Sequence, residues 1–405
     1  MIGCDIAVVG GGLAGSAAAA LLARAGFATV VIDPIEPCRP DFRLEKFDER
    51  QIGLIREAGL LDTAAAAATR AGGRWVARCG RLVDRIPRDQ LCFRYETMVN
   101  AMRAEAGLRA SRIVARAVGI EAGPDRQRVS LGDGRVVDAR LVILATGLNL
   151  GLQRALGLER RIVSACHSIS IGFDVAPLGG DRFQFPALTY FSDRSSARTA
   201  YLALFPVGEA MRANLFVYRD KDDPWLAQFR RDPETTLDEL LPRLAGLTGG
   251  TRIVGRVSIR PVDLYATHGH RQPGVVLVGD AYSTSCPAAG TGADKVFTDV
   301  GLLCRVHIPA WFATPGMAAD KIARFYDDPV KRACEKASLA KAFRLRAASV
   351  GAGPGPVIRR WIRFAGHAAL GLARRLATRP PSPDRARQPD GQQSSGPAAM
   401  QERAG

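Results

Sequence analysis

The stretch Cys4-Asp5-Ile6-Ala7-Val8-Val9-Gly10-Gly11-Gly12-Leu13-Ala14-Gly15 decides how the fold is read. Residues 4–9 carry the near-continuous apolar run of a buried parallel strand. Gly10, Gly12 and Gly15 then fit G-x-G-x-x-G, and an alanine-rich helix follows to about Arg24. Gly26 stops that helix, and residues 29–32 form a second strand ending at Asp33. The whole is a βαβ unit with a short crossover. Gly10 permits the tight turn, Gly12 lets the backbone approach a diphosphate, and Gly15 allows close packing of helix on strand. The free N–H groups of Leu13 and Ala14 open the helix, where the dipole favours negative charge. Asp33 is placed to accept hydrogen bonds from an adenosine ribose. A glycine triplet alone also reads as an ordinary turn; strand, helix and acidic residue in register point to a bound dinucleotide, without separating NAD from FAD.

Outward from this unit, residues 48–58 and 96–106 read as helices around a low-information alanine stretch at 64–68. Gly132-Asp133-Gly134 turns a hairpin between 129–131 and 136–138, and 141–144 returns as an apolar strand into Ala145-Thr146-Gly147. From 164 to 218 the pattern changes: strands at 167–175, 201–205 and 214–218 alternate with polar turns. This is the signature of an antiparallel sheet inserted between two halves of the first domain. The expected division is therefore 1–163 with 262–330 for the dinucleotide-binding domain and 164–261 for the inserted domain. Helices fill 331–378, and 379–405, rich in Pro, Ser, Gln, Gly and Arg, reads as disordered.

The composition narrows the class. Eight cysteines are scattered without a C-x-x-C pair, and five histidines show no ligand spacing, so neither a disulfide framework nor a metal site is expected. That usage fits a reducing cytoplasm. Residues 6–23 carry no charge, but four patterned glycines and the absence of a basic flank read as a glycine loop, not a membrane span or signal sequence. The net charge is +16, yet 11 of it lies beyond residue 330: residues 331–350 hold six Lys or Arg against Glu335, and residues 351–405 hold nine Arg against Asp384, Asp390 and Glu402. No nucleic-acid motif accompanies the charge, so nucleic acid is not the expected partner. Instead Ile358, Trp361, Ile362, Ala365, Ala369, Leu372 and Leu376 share one helical face, opposite Arg359, Arg360, Arg363, Arg374 and Arg375. Helix 357–376 reads either as docked on the catalytic body or as a peripheral contact with a membrane surface.

The second decisive stretch is Gly279-Asp280-Ala281, five residues, Pro287, two residues, then Gly290-Thr291-Gly292, after an apolar strand at 275–278 and before a helix. Here the chain resembles the para-hydroxybenzoate hydroxylase-like flavoproteins, whose G-D-A-x5-P-x2-G-x-G pattern is matched at every defined position. The resemblance spans roughly residues 4–330 and implies FAD. It implies that Asp280 binds the ribityl chain and that the Pro287–Gly292 loop offers backbone N–H groups to the flavin ring. An anionic reduced ring suits a helix N-terminus on physical grounds as well. A flavin-contacting arginine is implied at Arg43, ahead of the helix ending in Arg56-Glu57-Ala58-Gly59-Leu60. Arg56 reads as a surface charge.

Departures qualify the match. Tyr95 stands where the family has an arginine, Ala145-Thr146-Gly147 replaces its Asp-Gly motif, and Asp294 replaces an Asn, while Asp299 keeps the family's acidic residue. We assign Tyr95 and Gly147 to the cofactor site by position, and expect Asp294 to cap its helix. The widely separated Trp75, Trp225, Trp311 and Trp361 leave no halogenase W-x-W-x-I-P segment. Tyr201-Leu202-Ala203-Leu204-Phe205-Pro206 partly resembles a strand of geranylgeranyl reductases, but reads more readily as a core strand ending in a turn. The expected fold is α/β: a Rossmann-type FAD-binding domain with an inserted antiparallel substrate domain and C-terminal helices. The expected function is an FAD monooxygenase that uses NAD(P)H and oxygen on a small hydrophobic or aromatic substrate. An FAD reductase without oxygen insertion and a non-enzymatic flavin-holding protein are the alternatives. No acid or base can be named: His167, His268 and His270 are each as readily packed or surface residues.

Overall fold

The computed structural model describes residues 1–192, 194, 197–351 and 354–377, so the tail 379–405 lies outside the described residues. The strand Ile2–Val9 lies at the centre of the first sheet, parallel to Thr29–Ile32 on one side and Val136–Leu144 on the other. Ser111–Ile113 and Val275–Leu277 add parallel strands, and Gln127–Leu131 and Ala117–Glu121 continue the sheet antiparallel. Ile6, Ala7 and Val8 are wholly buried, as a strand covered on both faces requires. The helix Leu13–Arg24 lies on this sheet through Ala17, Ala18 and Ala19. A Cβ on Gly15 would come within 1.9 Å of the Gly10 carbonyl oxygen, so only glycine allows helix and loop to approach this closely.

The second sheet runs Thr251–His268, Glu159–Pro177, Ala210–Val217, Thr199–Val207, Leu188–Phe191, Arg74–Arg78 and Arg81–Ile86. Neighbours are antiparallel except Leu188–Phe191 with Arg74–Arg78, which pair parallel. The last two strands come from residues 74–86, ahead of the inserted stretch. One face, with Ile169, Ile171, Phe173, Leu215 and Val217, packs on the helices Pro224–Arg231 and Pro233–Leu240. The opposite face looks toward the cofactor domain.

A small sheet of Leu44–Phe47, Gln90–Arg94 and Thr69–Ala71 lies between the two lobes. Its Phe47, Leu91 and Phe93 enter the core of the first domain, where Phe47 meets Phe93 and Phe297 at ring centroids of 5.0 and 6.1 Å. Each such buried ring contributes roughly 1.5–3 kcal/mol. Its other face, with Ala71 and Cys92, meets Ala187, Ala203 and Phe205 of the large sheet.

The chain closes with two long helices, Pro329–Val350 and Pro354–Ala377. The first threads between the lobes. The second lies against strand Arg81–Ile86, where Gly371 is close enough to the Val83 carbonyl that a Cβ would meet it. Ile358, Trp361, Ile362, Leu370 and Leu372 are more than half exposed, so most of the apolar stripe expected at 357–376 does not pack on the body. Among the described residues, no helix is long and apolar enough to cross a membrane.

Candidate active site

The glycine loop is held from behind by polar side chains. Asp33 accepts from Gly11 N–H at 2.6 Å and from Ile35 N–H at 2.8 Å. Arg103 donates to the Gly11 carbonyl at 2.7 Å and lies 3.5 Å from Asp33. Gly12 opens helix Leu13–Arg24 without a side-chain cap, and within 4 Å a Cβ there would meet only the Tyr95 hydroxyl. Leu13 N–H has just a 3.5 Å contact to that hydroxyl. The first turn therefore turns bare N–H groups toward the cleft, an arrangement suited to a diphosphate.

Asp280 stands across the cleft, at the end of strand Val275–Leu277. Its carboxylate accepts no hydrogen bond among the described residues; its carbonyl is held by the Tyr265 hydroxyl at 2.6 Å. Burial pushes the carboxyl up, against the opposing pull of Arg43, Lys295 and Arg160. The Arg43 guanidinium lies 4.0 Å above the Tyr95 ring, 3.2 Å from Asp41 and 4.0 Å from Asp280. Thus Arg43, Tyr95, Gly12 and Asp280 face one space. Gly147, at φ +58°, lies on the same rim, with its carbonyl held by Arg160 at 3.0 Å. The Thr146 hydroxyl beside it is buried without a partner.

The Pro287–Gly292 loop is clamped from three sides. Tyr201 donates to the Ala288 carbonyl at 2.8 Å, Gln51 reaches the Gly290 carbonyl at 3.5 Å, and the hydroxyls of Thr291 and Ser338 meet at 2.6 Å. Gly290 takes a left-handed φ of +62°. Asp294 corrects the capping expectation: helix Gly292–Leu302 has no side-chain cap. The Asp294 carboxylate turns instead to helix Glu49–Glu57, accepting from Gln51 at 2.5 Å and pairing with Arg50 at 3.4 Å. From the third helical position its carboxylate could reach back to the Thr291 N–H, as Gln51 does to Asp48 in its own helix, but the partners on helix Glu49–Glu57 hold it instead.

Motif reading missed Gln51, Arg103, Tyr201 and Glu45. Burial pushes the Glu45 carboxyl up to about 7, with Arg43 pulling against it. Only adjacency to Arg43 marked Glu45 in the sequence. The histidines form no shared centre: His167 is packed between Tyr218 and Phe343, His270 rests on Tyr282 and Tyr326, and His268 is exposed.

A model described as an FAD binding domain matches residues 3–306. The chain belongs to that family. It is similar to 3-demethoxyubiquinol 3-hydroxylase of Escherichia coli, 26% identical over 353 residues that cover 80% of this chain and 86% of that protein. Among solved structures it resembles p-nitrophenol 4-monooxygenase PnpA from Pseudomonas putida, with TM-score 0.72 at 16% identity, covering 92% and 95% of the two chains. It also resembles P. aeruginosa PqsL in complex with 2-aminobenzoylacetate, with TM-score 0.65 at 20% identity, covering 86% and 99%. The expected α/β fold and FAD-dependent family hold, and the chain is an FAD-dependent oxidoreductase related to hydroxylases and monooxygenases. The bare helix turn and the Asp280 carboxylate, which accepts no hydrogen bond although Arg43 lies 4.0 Å away, fit its cofactor: one offers donors to a diphosphate, the other an acceptor to hydroxyls.

Proposed function

We propose that this flavoprotein hydroxylates or epoxidises a small aromatic or hydrophobic molecule, with NAD(P)H as electron donor and oxygen as co-substrate. The observation that carries the reading is the cleft itself: the Pro287–Gly292 loop is bonded by Tyr201, and Tyr201 continues into an aromatic wall with Phe191 and Phe216 at 5.7 and 5.0 Å. A cofactor loop and an apolar substrate wall thus share one contact. When bound, FAD supplies the redox chemistry between nicotinamide and oxygen. The residues of the chain place it. N–H groups of Gly12 to Gly15 receive the diphosphate, and Asp33 takes the adenosine ribose with its remaining lone pairs. Asp280 accepts from the ribityl chain, Arg43 stacked on Tyr95 supplies positive charge, and Pro287 to Gly292 turn donors to the ring. Gly147 leaves the rim open. The aromatic wall keeps water from the reacting face.

The test is oxygen labelling. Purified protein supplied with NADH or NADPH, aromatic candidates and ¹⁸O₂ should form a product carrying one label per nicotinamide oxidised. A reduced, unlabelled product would establish the reductase reading, which Ala145-Thr146-Gly147 favours by departing from the hydroxylase pattern. No nicotinamide oxidation with any substrate would favour a flavin-holding role.

The outward apolar stripe of helix Pro354–Ala377 supports a further element of this reading: the protein works in the cytoplasm, against the surface of an anionic membrane. Its eight cysteines are all unpaired, as in a reducing compartment. Helix and basic sequence together suit a surface that is apolar within and anionic at its face.

A further inference from the structure

Strand Glu159–Pro177 of the large sheet reaches back to the cofactor domain at its first residues, and there Arg160 joins the two walls of the cleft. One wall follows strand Val136–Leu144 and carries Gly147; the other follows strand Val275–Leu277 and carries Asp280. These strands are parallel neighbours, Leu144 beside Leu277, and the chain parts after them. Arg160 donates to the Gly147 carbonyl at 3.0 Å, to the Leu148 carbonyl at 3.1 Å and to Gln153 Oε1 at 3.1 Å. Its guanidinium also lies 4.3 Å from the centroid of the Tyr265 ring. Arg160 pairs with Thr267, so Tyr265 is its diagonal neighbour on the ribbon. The Tyr265 hydroxyl in turn donates to the Asp280 carbonyl at 2.6 Å, while Thr267 Oγ1 and Gln153 Nε2 both donate to the Ala281 carbonyl at 2.9 Å.

Gln153, Tyr265 and Thr267 are buried, so water competes little for these bonds. Bonds from a guanidinium to oxygen are charge-assisted, and its planar fork holds several acceptors at a fixed spacing. The Gly147 rim has no such hold of its own, because the neighbouring Thr146 hydroxyl is buried without a partner. On the other wall the Asp280 carboxylate accepts no hydrogen bond, although Arg43 lies 4.0 Å away. Its aim therefore depends on the backbone gripped at the Asp280 and Ala281 carbonyls.

We infer that Arg160 is a positioning residue of the cofactor site: through Gly147 on one side and Tyr265 on the other it fixes the spacing between the rim and the Asp280 segment. The ribityl half of FAD then enters a space that is already formed. The inference rests on the ribityl role proposed for Asp280, and it makes the large sheet a support of the FAD site. Without Arg160 the two walls are free to shift, and part of the binding free energy goes into ordering them. The glycine loop that faces the diphosphate has separate supports in Asp33 and Arg103. Loss of Arg160 therefore falls on the flavin half of the cofactor and spares the adenosine half.

The test compares FAD with ADP, which carries the adenosine and diphosphate groups but neither ribityl chain nor ring. Full-length protein freed of flavin is titrated with each by calorimetry. Arg160→Met should weaken FAD about three- to tenfold, the effect of one or two groups that must be ordered on binding, and leave ADP within about twofold. Tyr265→Phe keeps the ring beside Arg160 but loses the hydroxyl, and should give the same FAD-specific loss. The double variant should lose little more than either single one, since both act on one joint. Arg160→Lys keeps the charge without the fork and should stay close to Arg160→Met. Equal losses for FAD and ADP would show a general loosening of the fold; that result, no loss in either variant, independent losses in the double variant, or full recovery by lysine would each overturn the inference. Asp280→Ala, measured alongside, separates the inference from its foundation. An unchanged FAD-to-ADP ratio there overturns the ribityl assignment and the inference with it; a fall there with none in Arg160→Met overturns the inference alone.

Discussion

Asp280 and Tyr95 face the same space with different stakes. Asp280 offers a partly desolvated carboxylate that accepts no hydrogen bond among the described residues, and a hydrogen bond to a charged group contributes roughly 1.5–3 kcal/mol. Tyr95 offers its ring to Arg43 and only a 3.5 Å hydroxyl contact to Leu13. Asp280→Ala should therefore weaken FAD binding about ten- to a hundred-fold, while Tyr95→Phe, which keeps the ring, should change it little. Fluorescence titration of the apoprotein with FAD measures both, and equal losses would mean that the ribityl site lies elsewhere. Residues of this kind were legible because their roles are bound to local pattern: a glycine that must be glycine, an aspartate after a strand. Gln51 and Tyr201 were not. Their roles arise only when elements far apart in the chain come together, and no spacing in the sequence records that Tyr201 would meet the Ala288 carbonyl or Gln51 that of Gly290.

Elements transmit these local arrangements through a few buried ties. Helix Pro329–Val350 is fastened to helix Gly292–Leu302 by Lys331, whose Nζ lies 2.9 and 2.8 Å from the two Asp299 oxygens and 3.2 Å from Glu335. Lys331 also rests over the Tyr282 ring at 4.4 Å. Both partners of the pair are almost fully covered, so removing one leaves the other charged and buried. Lys331→Met should destabilise the fold by roughly 3–5 kcal/mol, and adding Asp299→Asn should restore much of it. Denaturant midpoints of the two variants check this; a mild single loss would show that water reaches the pair. The family match marked Asp299, but nothing local marked its partner 32 residues on. Element types were read well: the βαβ unit, the helices near 48–58 and 96–106 and the middle strands all stand. The small sheet escaped notice because its strands are three to five residues long and pair across long stretches of chain, Leu44 with Arg94 and Thr69 with Cys92.

The whole molecule combines a strongly basic C-terminal region with an outward apolar helix face. Each Lys or Arg close to an anionic surface adds about 1 kcal/mol, and salt screens the attraction. Full-length protein should cosediment with phosphatidylserine-containing liposomes at low salt and release at high salt, and a chain ended after Gly355 should stay in solution. Equal sedimentation of the two forms would assign the helix to packing. This feature was half legible: periodicity showed the stripe, but which way it faces depends on strand Arg81–Ile86, against which Gly371 lies.

One feature of the architecture reaches beyond the site. The paired strands Glu159–Pro177 and Thr251–His268 are hydrogen-bonded from Glu159 with His268 to Pro177 with Thr251. At one end Thr267 and Tyr265 are tied to the segment after Asp280; at the other the ribbon forms the border of the large sheet. A two-lobed protein joined by loose linkers melts piecewise. A shared ribbon removes that freedom, because neither lobe can unravel without stripping strands from its neighbour. Heat capacity should then report a single endotherm, and FAD, gripped mainly by one lobe, should raise the melting temperature of both.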